Sequence, residues 1–207
     1  MKYANIKPYD VANGMGVRVS LFVSGCRHHC KGCFNAEAWD FNYGTEFTQE
    51  TIDQIIELLK PDYIQGLSLL WGEPLAPENQ EQVWNLIQQV RAKLPKKDIR
   101  CYSGFTYEFI QEYMVPHLPY TEKIFDNIDV LVDGKWKEEL KNLNLRFRGS
   151  ANQRVIDVQA SKKYKTIIRA LQKEKDKFVQ LPLIAKEHLS SLEKIEREIV
   201  GVLEVVA

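Results

Sequence analysis

The chain alternates two kinds of hydrophobic spacing. Val17-Arg18-Val19-Ser20-Leu21-Phe22-Val23 switches apolar with polar and then turns wholly apolar, which predicts a strand that enters a core. It stops at Ser24-Gly25. Thr48 reads as an N-cap with Glu50 in the first turn. Ile52, Ile55, Ile56 and Leu59 then fall at helical spacing until Pro61. Residues 67–71 predict a short apolar strand closed by Gly72-Glu73-Pro74, and Val83, Leu86, Ile87, Val90 and Leu94 an amphipathic helix that Pro95 ends. Residues 99–102 read as a strand, 106–113 as a short helix, and 128–132 as a strand followed by Asp133-Gly134.

Strands separated by helices predict βαβ units, hence an α/β fold with a mostly parallel open sheet flanked by helices. Sites in such folds collect at the carboxyl ends of the strands. Cys26, Gly72, Ser103 and Asp133 each follow a predicted strand, so four loops are expected around one mouth. Residues 160–207 differ from the rest. A lysine-rich run, 162–177, is followed after Pro182 by Leu189, Leu192, Ile195, Ile199 and Val202 at helical spacing. They are expected to form a C-terminal helical extension on a body of residues 1–159. Its basic run reads as a solvated face or as a docking surface for a partner.

Composition narrows the class. In 207 residues, 28 Lys and Arg balance 28 Asp and Glu, so nothing points to wholesale binding of nucleic acid or a membrane surface. No apolar run approaches the ~20 residues of a membrane span. The first ten residues lack the apolar stretch of a signal peptide, and the expected location is cytoplasmic. Thiols in that compartment stay reduced, so Cys26, Cys30 and Cys33, three within eight residues, read as metal ligands or redox groups.

The spacing C-x3-C-x2-C restricts what can be held. Structural zinc requires four closed ligands, and a fourth here would have to be His28, His29, Cys101 or another residue brought in by folding. A cubane iron–sulfur cluster prefers thiolates, one to each iron. Three cysteines on a short loop would bind three irons and leave the fourth open. An open iron suits a cofactor with its own amine and carboxylate, and S-adenosylmethionine has both.

The segment GMGVRVSLFVSGCRHHCKGCFN resembles the signature of the radical-SAM activating enzymes of glycyl-radical enzymes. Gly14, Gly16, Arg18, Phe22, Gly25, Cys26, Cys30, Cys33 and Asn35 all match it. LVDGKW and FRGSANQRVID are similar to the subgroup that activates anaerobic ribonucleotide reductase. The resemblance covers residues 1 to about 159. It implies a partial (β/α)6 barrel with a [4Fe-4S] cluster on Cys26, Cys30 and Cys33 at its carboxyl mouth. It implies S-adenosylmethionine as cosubstrate, contacted by Gly32, Cys33 and Phe34 at its nucleoside part. The amine would meet Gly72 and Glu73 in WGEP, and Lys135 would stand near the carboxylate, with Asp133 beside it for a cation. Trp71 departs from the family, which usually has a glycine there, and Gly32 replaces an aromatic residue.

The implied activity is transfer of one electron from flavodoxin or ferredoxin to the cluster, reductive cleavage of the cosubstrate, and removal of a hydrogen atom from a glycine of the reductase. Activation of another glycyl-radical enzyme, a small-molecule radical-SAM reaction and a non-enzymatic zinc module are the rival readings. Several residues stay open at this level. Asn35 reads as a loop or adenosine contact, Tyr102 and Ser103 as ribose contacts or caps, and Asp133-Gly134 as ligand or plain turn. Arg146, Arg148 and Arg154 read as a carboxylate grip or as turn contacts. Cys101 is expected to be a small buried hydrophobe. His28, His29, His117 and His188 have no evident partners in the sequence.

Overall fold

The structure is a computed structural model that describes residues 1–172 and 178–182. The chain opens with β1 (Lys2–Asp10) and β2 (Val17–Val23), then adds the two-residue β3 (Thr45–Glu46) and α1 (Gln49–Leu59). The units β4 (Ile64–Leu70) with α2 (Pro77–Lys93) and β5 (Asp98–Tyr102) with α3 (Tyr107–Phe109) follow. Then come α4 (Thr121–Asn127), β6 (Val130–Asp133), β7 (Arg154–Asp157), α5 (Val158–Tyr164), β8 (Ile168–Gln172) and β9 (Phe178–Pro182). The nine strands of the described residues form one open sheet in the order β3-β1-β2-β4-β5-β6-β7-β8-β9. The pairs β2/β4, β4/β5 and β5/β6 are parallel, and the outer pairs antiparallel. Six of these nine strands therefore share one direction.

The helices follow their sequence signals. Thr48 and Thr51 close a capping box at the start of α1, which buries Ile52, Ile55, Ile56 and Leu59. Pro77 starts α2, where its missing N–H would be unpaired in any case, and Val83, Leu86, Ile87 and Val90 face the sheet. They join Val19, Leu21, Val23, Leu67, Leu69, Ile99, Cys101 and Leu131 in one core. Strand alternation sends the other residues to the opposite face. That face is polar yet buried: Arg18, Ser20, Ser68 and Arg100 are each at most 1% exposed. Arg18 donates from Nε to Ser68 Oγ at 2.7 Å and from Nη2 to Leu67 O at 2.8 Å, and pairs with Asp98. Ser20 Oγ and Asn13 Nδ2 donate to Asp10, at 2.5 and 2.6 Å.

The short helix expected over 106–113 forms, capped by Thr106: α3 continues directly into a wider five-residue turn, Ile110–Met114. Two expectations are corrected. The helical run expected from residue 160 is not what forms. The boundary placed between 159 and 160 falls inside α5, which Asp157 caps and which ends at Lys165 in left-handed backbone (φ 51°). The chain then extends into β8, because Ile167 and Ile168 are β-branched and Ile168 and Ala170 bury alternately. The helical stripe 189–202 lies outside the described residues. Finally, β1, β3 and β7 add antiparallel strands that the hydrophobic pattern did not mark.

Candidate functional site at the carboxyl ends of the parallel strands

The cysteine loop leaves β2 under tight backbone control. Gly25 N donates to Ala38 O at 2.8 Å and Cys26 N to Trp39 O at 3.1 Å. Glu73 N, in the turn after β4, donates to Gly25 O at 2.8 Å. Asn79 on α2 ties both turns together, its Nδ2 donating to Ser24 O at 2.9 Å and Glu73 O at 3.0 Å. Gly72 sits at the crossing with φ 37°, and a Cβ there would lie 2.8 Å from Val23 O and 2.9 Å from Gly25 O. Only glycine fits so close an approach of two backbones.

Cys26, Cys30 and Cys33 line one cavity of about 270 Å³, with Gly72, Trp71 and Tyr102 on its wall. All four cysteines are free thiols. Backbone N–H groups point at two of them: His28 N lies 3.5 Å from Cys26 Sγ and Asn35 N 3.4 Å from Cys33 Sγ. Burial, reinforced by the neighbouring Glu73 and Cys30 charges, pushes the Cys26 thiol up to about 11. Burial and Cys33 raise Cys30, against the pull of Lys135. Metal binding displaces such protons, since the thiolate is the ligand. Among the described residues no three His, Cys, Asp or Glu side chains converge on a single point as one metal ion would require. Three thiols lining one cavity, with no fourth cysteine beside them, are a donor set that suits an iron–sulfur cluster, one thiolate to an iron.

Two further polar groups meet the cavity. Tyr102 Oη and Trp136 Nε1 are buried, find no acceptor among the described residues, and belong to residues that line the same space; the Arg100 guanidinium, itself only a donor, lies beside the Tyr102 hydroxyl. A buried donor without an acceptor costs about 1–3 kcal/mol, so these two are fitted to an acceptor brought by a ligand. In the sequence Trp136 is marked only as the last residue of LVDGKW, with no role attached, whereas Tyr102 reads as a ribose contact or a cap.

Other expected residues are distributed unevenly. Glu73 does not line the cavity: its side chain is 2% exposed, behind His28. Its Oε1 accepts from Leu75 N at 2.9 Å, and its Oε2 accepts from Gly104 N at 2.8 Å and from His28 Nε2 at 2.7 Å. Gly32 and Phe34 are also outside the cavity wall. Phe34 is 70% exposed and leans on Trp136 at 5.2 Å between ring centroids. Lys135 lines an adjoining cavity of about 650 Å³ with Phe105 and Phe109; the two cavities share His28, Gly104 and Gly134.

Partners replace the isolation expected of three histidines. Besides His28, His29 stacks on Trp39 at 4.6 Å and His117 Nδ1 meets Tyr113 O at 2.7 Å. His188 lies outside the described residues. Asp133 is more than a turn residue: it is 1% exposed, accepts from Arg154 Nε at 3.0 Å and Tyr107 N at 2.8 Å, and lies on the wall of the larger cavity. Arg154 also forks onto Glu108 at 2.9 and 2.6 Å. Arg148 donates to Gln153 O at 2.6 Å, and Gln153 Oε1 accepts from Gly149 N and Ser150 N, so this segment is latched by turn contacts. Cys101 is fully buried in the core. No helix among the described residues is long and apolar enough to cross a membrane.

Comparison with known proteins gives the site its context. A family model described as a 4Fe-4S single cluster domain matches residues 12–156. The anaerobic ribonucleoside-triphosphate reductase-activating protein of Vibrio cholerae is 44% identical over 155 residues, covering 74% of this chain and 96% of that protein. The protein of the same name from Escherichia coli strain K12 is 41% identical, with the same coverage. That of Enterobacteria phage T4 is 40% identical over 155 residues, covering 75% of this chain and 93% of its own. The chain thus belongs to the family of anaerobic ribonucleoside-triphosphate reductase-activating proteins and carries their 4Fe-4S cluster domain.

Proposed function

We propose that this chain activates an anaerobic ribonucleotide reductase, holding a [4Fe-4S] cluster on Cys26, Cys30 and Cys33 with S-adenosylmethionine as cosubstrate. The open sheet acts as the partial barrel of that enzyme class, with the site at its carboxyl mouth. The observation that carries the reading is the set of three thiols lining a cavity that also holds two donors without an acceptor among the described residues, Tyr102 Oη and Trp136 Nε1. Held by Cys26, Cys30 and Cys33, the cluster would supply the single electron for reductive cleavage of S-adenosylmethionine, the chemistry that would allow a hydrogen atom to be taken from a glycine of the reductase.

The protein's part is to bind, orient and exclude. Gly72 lets the backbone of its turn approach the methionine end, and Glu73, buried behind His28, fixes that turn through three filled acceptor positions. Tyr102 and Trp136 orient the ribose and base through hydrogen bonds. Gly32, Cys33 and Phe34 flank the nucleoside when Phe34 swings in from solvent, and Lys135 draws the carboxylate toward the shared wall of the two cavities. The larger cavity, with Phe105 and Phe109, admits the glycine loop of the reductase. A flavodoxin or ferredoxin supplies the electron.

Anaerobic reconstitution tests the proposal. The expected product is a brown protein with four irons and four sulfides per chain. With a reductant it forms 5′-deoxyadenosine and raises a glycyl radical signal on added reductase. A colourless protein with one tightly held zinc, or a loaded protein that cleaves no S-adenosylmethionine, overturns it.

A further inference from the structure

Glu73 is the point at which three strand ends meet. Its own backbone belongs to the turn after β4; Gly104, which donates to Oε2, belongs to the loop after β5; and His28, which donates to the same oxygen, belongs to the cysteine loop after β2. A carboxylate only accepts, so the proton of this contact sits on His28 Nε2. The His28 side chain is 8% exposed and its ring meets Phe105 edge-on at 4.5 Å. Gly104 presses against the same ring: a Cβ added there would fall 2.3 Å from His28 Cδ2 and 2.4 Å from Nε2. The imidazole is thus held on one side by an aromatic ring, on another by bare backbone, and at its tip by a buried carboxylate.

We propose that His28 is a positioning residue: through Glu73 it locks the Gly72-Glu73 turn against the cysteine loop and so couples the shape of that loop to cosubstrate binding. The inference rests on the proposed binding of S-adenosylmethionine beside that turn. With Oε2 filled by Gly104 N and His28 Nε2, and Oε1 by Leu75 N, the buried carboxylate keeps one orientation. Without His28, Oε2 loses a charge-assisted donor and the carboxylate turns to find another. The contact also joins the loop that carries the thiols to the turn that lines the cavity through Gly72, so disorder in one reaches the other. An apolar side chain of similar bulk would fill the space but leave only the two backbone donors on the carboxylate.

The experiment compares reconstituted wild type, His28→Leu, His28→Gln and Gly104→Ala, measuring iron and sulfide content and the dissociation constant for S-adenosylmethionine itself. His28→Leu and Gly104→Ala are expected to keep wild-type iron and sulfide but bind S-adenosylmethionine at least about tenfold more weakly. His28→Gln, whose amide can reach Glu73, is expected to recover most of that loss. Unchanged binding in His28→Leu overturns the inference. So does loss of iron in step with loss of binding in every variant, because His28 would then only shape the loop. A wild-type protein that takes up its cluster but binds no S-adenosylmethionine overturns the proposed function itself, and is told apart because it appears before any substitution is made.

Discussion

Trp71 holds φ at 62°, a left-handed backbone that costs an L-residue about 1–2 kcal/mol. Its ring packs edge-on against Phe22 at 4.8 Å, an aromatic contact worth about 0.5–1.5 kcal/mol that offsets much of the strain. The sequence marked Trp71 as a departure from its family's usual glycine; the backbone explains why glycine suits the place. Gly72 has no such compensation available. Gly72→Ala drives a methyl group into two carbonyl oxygens, and S-adenosylmethionine binding is expected to weaken by at least about tenfold, read by equilibrium titration. The thiols give two further predictions. Cys26→Ala should abolish cosubstrate cleavage, whereas Cys101→Ala, changed inside the core, should keep most of it; equal loss would misassign the ligands. In the cluster-free protein, burial raises the Cys26 thiol to about 11, so the neutral form dominates at pH 7. Its thiolate fraction grows about tenfold per pH unit below that value, and iodoacetamide labelling of Cys26, read by mass spectrometry, should rise in proportion between pH 7 and 9. A rate flat in pH would contradict the buried position.

At the scale of elements, what the sequence reveals depends on whether one strand carries its own signal. β2, β4 and β6 are readable because their apolar runs are buried against helices, and α1 and α2 because their caps and stripes agree. β1 is not readable. Its burial alternates weakly between half-buried and exposed, it contains Pro8, and only pairing with β2 makes it a strand. The end of α5 was missed for a similar reason: Lys165 in a left-handed cap breaks a lysine-rich run that propensity alone would continue. The polar face of the parallel strands holds a sharper contrast. Arg18 is satisfied by Ser68, Leu67 O and Asp98, while Arg100, equally buried, has Nε and Nη1 without hydrogen-bond partners among the described residues and meets the Tyr102 hydroxyl and the Phe147 ring. Arg18→Met is therefore expected to destabilise the fold by about 3 kcal/mol and Arg100→Met by less than about 1 kcal/mol, compared by urea unfolding of the cluster-free protein. The reverse order would show that Arg100 has the more important partner.

For the whole molecule, the arrangement of loops was legible while the detailed contacts were not. The rule that sites gather at carboxyl ends of parallel strands brought Cys26, Gly72, Ser103 and Asp133 to one region, and the first three line the same cavity. The Asp133 carboxylate turns instead to Arg154 and Tyr107, a pairing that crosses 21 residues and has no sequence period to announce it. Glu73 and His28, 45 residues apart, escaped for the same reason. The fold thus gathers groups from β2, β4, β5 and the loop after β6 around one cavity, lined by three thiols and by two donors that find no acceptor among the described residues. The most direct measurement is electron paramagnetic resonance of the reduced, anaerobically reconstituted protein before and after S-adenosylmethionine is added. A [4Fe-4S] signal that shifts on addition is the result expected of three thiolates and one open iron. A signal that does not move, with every iron already held by a side chain, would contradict the account.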